Sequence, residues 1–120
     1  MRMLLAAVVA CLVLTTIAAA QEDLNAEDER TARLFDLGMT ALEIAERTDG
    51  ESARSELYDK AIEAFRTILV NRPDLVRVRL ELARAFFLNG QDGLARRHFE
   101  AVLAGGVPRP VAANIRQFLA

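Results

Sequence analysis

The chain has one cysteine, one histidine, no tryptophan and three prolines in 120 residues. A lone cysteine closes no intrachain disulfide, and Cys11 lies inside an apolar opening stretch. The lone histidine, His98, has neither cysteine nor carboxylate at ligand spacing, so no metal site is expected. Its neighbours are Arg96, Arg97, Phe99 and Glu100, which reads as a solvated helix surface rather than part of a Ser–His–Asp arrangement. Gly105-Gly106 lacks the following Lys-Ser or Lys-Thr of a phosphate loop. The many acidic residues lie on polar faces, without the apolar setting that raises a carboxyl pKa for acid catalysis. These absences point to a protein that is not an enzyme and takes no cofactor. With 15 Lys and Arg against 17 Asp and Glu, no concentrated basic face is in sight, and nucleic acid is not an expected partner.

What is present begins with an export signal. Arg2 supplies a short positive start, Met3 to Leu14 an apolar core, and Ala18-Ala19-Ala20 a small-residue cleavage site before Gln21-Glu22-Asp23. That is the anatomy of a secretory signal peptide over residues 1–20, and it implies export of the mature chain. The core is too short for a permanent anchor, which needs roughly 20 apolar residues. Val8-Val9-Ala10-Cys11 also loosely fits a lipid-attachment pattern, but the apolar run continues past Cys11 where a lipoprotein would turn polar. Cleavage after Ala20 leaves a chain without cysteine.

Residues 21–30 are acidic and polar and read as a loosely ordered lead-in whose last residues form a negative first turn. From Thr31 to Arg47 the apolar positions Leu34, Phe35, Gly38, Met39, Leu42 and Ala45 recur at three and four, which predicts an amphipathic helix. Thr48 to Ser52 is turn chemistry, with a linker running to about Glu56. A second helix then carries Leu57, Ala61, Phe65, Ile68 and Leu69 on one face, and Asn71-Arg72-Pro73-Asp74 ends it. Leu75 to Leu88 forms a third helix, with Val78, Leu82, Ala85 and Phe86 on one side and Arg77, Leu80, Arg84 and Phe87 on another. Gly90 suits a left-handed cap and Asp92 an N-cap, opening a fourth helix with Leu94, Ala95, Phe99, Val102 and Leu103 inward. Pro110 fits the first turn of a fifth, whose stripe is Val111, Ala112, Ile115, Phe118 and Leu119. No polar capping helix follows it. Either that whole stripe packs inward, or these residues are the front part of something longer.

The second and fourth helices superpose at a spacing of 34: Ala61 meets Ala95, Phe65 meets Phe99, Ile68 meets Val102 and Leu69 meets Leu103. A period in the thirties with small and aromatic residues in register marks a helical-repeat array. With Pro73, Leu82, Ala83 and Phe86, the pattern over residues 31–120 resembles the tetratricopeptide repeat, which implies an all-α fold of about five helices in antiparallel helix-turn-helix pairs. Matching Leu37-Gly38 to Leu82-Ala83 gives a spacing of 45, so the loop around Asp49 is expected to carry about eleven extra residues. The usual leading tryptophan is missing, and Val107 stands at the equivalent of Pro73. The runs from Pro73 to Phe87 and from Val107 to Leu119 further resemble the N-terminal repeat domain of surface lipoprotein assembly modifier proteins. Those proteins join a periplasmic repeat domain to an outer-membrane β-barrel and help move lipoproteins to the cell surface. The resemblance implies a periplasmic recognition role in lipoprotein export, with membrane contact only through a partner or an absent barrel.

In repeats of this kind the first helix of each pair lines the groove. Carried over, the groove residues are Ala32, Phe35, Met39 and Leu42, then Arg77, Leu80, Arg84 and Phe87, with Asn114 beyond. The groove suits an extended protein or peptide segment, apolar with two guanidinium groups that can hold carboxylates bidentately. Alternatively, Arg77 and Arg84 pair with Glu81 on a solvated face, and Phe35, Met39 and Leu42 belong to the core. Two function classes follow: a client-recognition module acting through this groove, or a scaffold that self-associates through the fifth helix, residues 111–119. Arg96-Arg97-His98 falls far short of a polybasic membrane anchor.

Overall fold

The computed structural model describes residues 2–120. Five helices follow one another: α1 (Arg2–Glu46), α2 (Glu51–Asn71), α3 (Val76–Leu88), α4 (Asp92–Ala104) and α5 (Arg109–Leu119). Among the described residues there is no strand, and adjacent helices pack as hairpins in an all-α fold. The chain divides into two compact units, the first ending at Ala32 and the second running from Arg33 to Ala120. In the first, residues 21–30 are helical rather than a loose lead-in. They contain neither proline nor glycine, and Ala, Glu and Leu favour the helix. Val8, Leu12, Leu14 and Ile17 are exposed there, and among the described residues no helix is long and apolar enough to cross a membrane.

The second unit is built on hairpin turns with identifiable causes. α1 tightens at its end through Arg47 N–H to Ile44 O and Thr48 N–H to Ala45 O, while the Thr48 hydroxyl donates to Ile44 O at 2.6 Å. Gly50, at φ 98°, turns the chain, and α2 starts at once with Glu51 at the positive end of its dipole. The linker to about Glu56 is therefore helix, and the additional length near Asp49 is not a loop. It lengthens the hairpin, leaving only residues 47–50 between the two helices. Ahead of Pro73, Arg72 is pushed out of the helical region to φ −128° and ψ 69°. At the end of α3, Gly90 (φ 76°) donates to Phe87 O and Gln91 to Phe86 O, the paired bonds of a Schellman cap. Gln91, not Asp92, is the N-cap of α4; Asp92 is already helical and acts through its charge at the first turn. Pro110 sits in the first turn of α5, where its missing N–H leaves no bond unmade.

Burial follows the repeat register. Ala61 and Ala95, Phe65 and Phe99, and Ile68 and Val102 are all buried, while Leu69 and Leu103 are both half-buried against the core. Phe65, Phe86, Leu42, Leu82 and Ile115 are the largest fully enclosed side chains. Alanines 45, 61, 83 and 85 are completely covered and give the space in which neighbouring helices approach. Gly38 goes one step smaller: a Cβ there would stand 2.5 Å from Phe65 Cε1. α5 turns its stripe onto the preceding helices, with Ala112 and Ile115 buried and Phe118 stacked on Phe99 at 4.9 Å. Its other side carries the exposed Arg109, Ala113, Asn114, Arg116 and Gln117. Most of the stripe therefore packs inward, Phe118 stays 37% exposed, and the other side of α5 is polar.

Candidate protein-binding face

Contacts between α1, α3 and α5 draw the proposed groove residues into a row. The Arg77 guanidinium lies 5.7 Å from the centroid of Phe35, and its Nε donates to Glu81 at 3.4 Å. Arg84 donates to Glu81 Oε2 at 3.3 Å and to Glu46 Oε1 at 2.8 Å, bridging α3 to the end of α1. Phe87 meets Phe118 edge-on at 5.1 Å, joining α3 to α5. Glu81 is the hub: its carboxylate, 12% exposed, takes one arginine from each side along α3. The pairing expected on a solvated face is thus present for both arginines.

The residues in the row differ in what they can offer a ligand. Arg84 is occupied by two carboxylates and acts as a clamp between helices. Arg77 keeps 70% of its side chain exposed, and its terminal nitrogens remain available beside the Phe35 ring. Met39 and Leu80 are half-buried, and Phe35 packs on Phe65 at 5.9 Å, so all three support the face from below. Leu42 is 2% exposed and belongs to the core, not to the groove. Asn114 is exposed one turn before Phe118 on α5, with no hydrogen bond to the other groove residues among the described residues. Ala32 falls in the other unit.

Two members of the row are not recognisable as such from spacing. Glu46 meets Arg84 across 38 residues, outside any i,i+4 rule. Phe118 reads as part of the inward stripe of α5, yet it is 37% exposed and, with Phe87 and Phe99, lines a hollow of about 410 Å³. Asp92, Arg96 and Gln117 edge that hollow, and Arg96 also donates to Leu119 O at 3.2 Å. It can take a side chain of a bound segment between aromatic walls and a charged rim.

A second concavity lies on the opposite side of α1, in the crease with α2. Leu34, Leu37, Ala41 and Ile44, spaced three, four and three, line it with Leu57 and Ala64 over about 420 Å³. Leu37 is 58% and Ile44 48% exposed, offset from the core-facing positions of the same helix. His98 also departs from its expected place. It is half-buried and stacked on Phe86 at 5.5 Å, with Nδ1 facing Arg79 Nη1 at 3.4 Å. Burial lowers its pKa below 6.5, and Arg79, Arg66 and Arg97 press it further in the same direction. Among the described residues no three His, Cys, Asp or Glu side chains gather in a way that could hold a metal ion. No family model, no curated protein and no solved structure matches the chain.

Proposed function

We propose that this chain is a tetratricopeptide-type protein-binding module that works in the periplasm and recognises an extended segment of a client or partner in lipoprotein surface export. The observation that carries the reading is the row formed by α1, α3 and α5, in which Arg77, Phe87 and Phe118 stay exposed beside a hollow of about 410 Å³. First helices of successive hairpins supply the row, so it is a continuous strip rather than a closed pocket. Such a strip suits an elongated polypeptide, with the aromatic hollow taking an apolar side chain and Arg77 a carboxylate. The apolar start of the chain, residues 1–20, supports export, and the resemblance noted above supplies the lipoprotein context.

The alternative is a scaffold that self-associates through residues 111–119. It has less to work with, since Ala112 and Ile115 are buried, Val111 and Leu119 are half-buried, and Phe118 is the one apolar residue of the stripe left exposed. A photo-cross-linking residue in place of Phe87, in the cells that make the protein, separates the two. The expected result is a cross-link to a lipoprotein segment, weakened by Arg77→Glu and missing when the probe is moved to Ala113. Cross-links confined to copies of this chain would favour the scaffold. An absence of either would overturn the groove as a binding face.

A further inference from the structure

The face built by α2, α3 and α4 carries a cluster that no single helix reveals. Arg66 of α2 and His98 of α4 both lie against the Phe86 ring, the guanidinium carbon at 5.2 Å from its centroid and the imidazole stacked at 5.5 Å. Arg79 of α3 reaches the same imidazole at 3.4 Å and is steadied by Pro73 O at 3.3 Å. Arg97 adjoins His98 in sequence and acts on its charge. Three arginines from three helices thus act on one imidazole, which itself stacks on Phe86.

None of the three guanidinium groups has a carboxylate partner among the described residues. Neighbouring arginines do: Arg72 has Asp74 and Arg96 has Glu100. The groups acting on His98 are Arg79, Arg66 and Arg97, with no carboxylate among them. This concentration of uncompensated charge occurs in a chain whose net charge is −2. Arginine only donates, so the contact with Arg79 makes His98 Nδ1 an acceptor and leaves the proton on Nε2. The imidazole then offers one more donor beside the guanidinium forks. Arg66 and Arg97 are exposed and Arg79 and His98 half-buried, so a ligand can reach the cluster.

We propose that Arg66, Arg79, Arg97 and His98 form a binding site for a phosphate group, either free, as a soluble monoester, or in a lipid headgroup. Inorganic phosphate and a phosphate monoester, whether soluble or in a lipid headgroup, present at least three non-bridging acceptor oxygens, which match several guanidinium groups and an Nε2–H better than the two oxygens of one carboxylate do. Binding supplies the missing negative charge and reverses the pressure that keeps the imidazole neutral. The site stands apart from the α1–α3–α5 row and does not depend on the function proposed for it.

His98 is the only histidine, so its ring gives a single, unambiguous NMR signal in the full chain. Inorganic phosphate is titrated in at constant ionic strength, with chloride as the counter-titrant. The expected result is a saturable shift of the His98 ring signals and a higher ring pKa in phosphate than in chloride. Arg79→Gln or Arg66→Gln should weaken the interaction by about tenfold or more, since each removes a charge-assisted hydrogen bond. Arg97→Gln, which removes no hydrogen bond or ion pair among the described residues, keeps the test available if either other variant fails to fold.

Short-chain phosphatidic acid, a lipid whose headgroup is itself a phosphate monoester, kept monomeric, distinguishes the sources in the same assay. Tighter binding of the lipid than of phosphate assigns the site to a headgroup, and the reverse order assigns it to a free phosphate or monoester. Shifts that track only ionic strength, equal in the wild type and all three variants, would overturn the proposal.

Discussion

The two ends of the 33–120 unit are finished differently. At the α5 end, eleven residues place Ala112 and Ile115 in the core, lean Phe118 on Phe99, and turn Arg109, Asn114, Arg116 and Gln117 outward. At the α1–α2 end, the crease between the helices stays open, and Leu37 and Ile44 stand largely exposed along it. Both ends use the same rule, small and aromatic residues in register, on their inner sides. What differs is the outer side, which is polar on α5 but carries the exposed Leu37 and Ile44 among charged residues on α1. An outermost helix of a repeat array needs a polar outer face, which α5 presents and which Leu37 and Ile44 interrupt on α1.

The variants that test this contrast start with the layer on which both ends rest. Phe86 is 1% exposed and contributes to α2, α3 and α4 packing alike, so Phe86→Ala should cost ~3–5 kcal/mol and unfold the domain near room temperature. Thermal melting followed by circular dichroism reads this directly, and an unchanged midpoint would refute the packing register. At the closed end, Ile115→Ala should cost about 2–4 kcal/mol, because the buried side chain leaves a cavity beneath α5. At the α1 side, Gly38→Ala should cost about 1–3 kcal/mol by driving its methyl into the enclosed Phe65 ring. A neutral Gly38→Ala variant would show that Phe65 can move aside.

These variants fall where the amino-acid pattern speaks most clearly. Phe65 on α2 and Phe99 on α4 take equivalent positions on the inner faces of their helices, and their like burial follows from the helical period and the repeat spacing. Gly90 and Pro110 are equally legible, since each supplies a backbone geometry or a missing donor that few residues tolerate. The helical start at Glu51 is less so: Ser52, Ser55 and the turn residues before them suit a linker, yet the helix begins directly after Gly50, whose carbonyl accepts from Arg54 N–H. The Arg84–Glu46 bridge, the Phe87–Phe118 contact and the convergence of Arg66, Arg79 and Arg97 on His98 depend on how helices cross. Spacing along one helix gives i,i+4 neighbours; it does not give the angle or offset between two helices. For the same reason Arg96-Arg97-His98 reads as an isolated surface run until α2 and α3 bring their arginines to it.

The open end gives a smaller effect. With Leu37 and Ile44 uncovered, Leu37→Ser and Ile44→Ser should each change stability by no more than about 0.5 kcal/mol. Set against the loss at Ile115, that result would separate a finished end from an unfinished one within a single molecule. A loss approaching the Ile115 value would mean that the α1–α2 crease is covered in the folded protein, and the contrast between the ends would disappear.

The smallest effect belongs to the layer between the ends, and it appears only as a dependence on pH. Burial, followed by Arg79, Arg66 and Arg97, lowers the His98 pKa in the folded chain below its ordinary 6.5. As pH falls through 6.5 the unfolded chain takes up a proton that the folded chain does not, so the unfolded state gains and stability declines. The decline ends once pH drops below the lowered folded value; above 6.5 the contribution of the neutral ring is complete. His98→Gln should therefore flatten this part of the stability–pH curve. Urea midpoints for both proteins, collected from pH 8 down to pH 5, measure it. A wild-type midpoint that rises as pH falls through 6.5, and does so only while His98 is present, would mean that the charged imidazole is the favoured form. The arginines of α2, α3 and α4 would then have to lie farther from the ring than the packing around Phe86 places them.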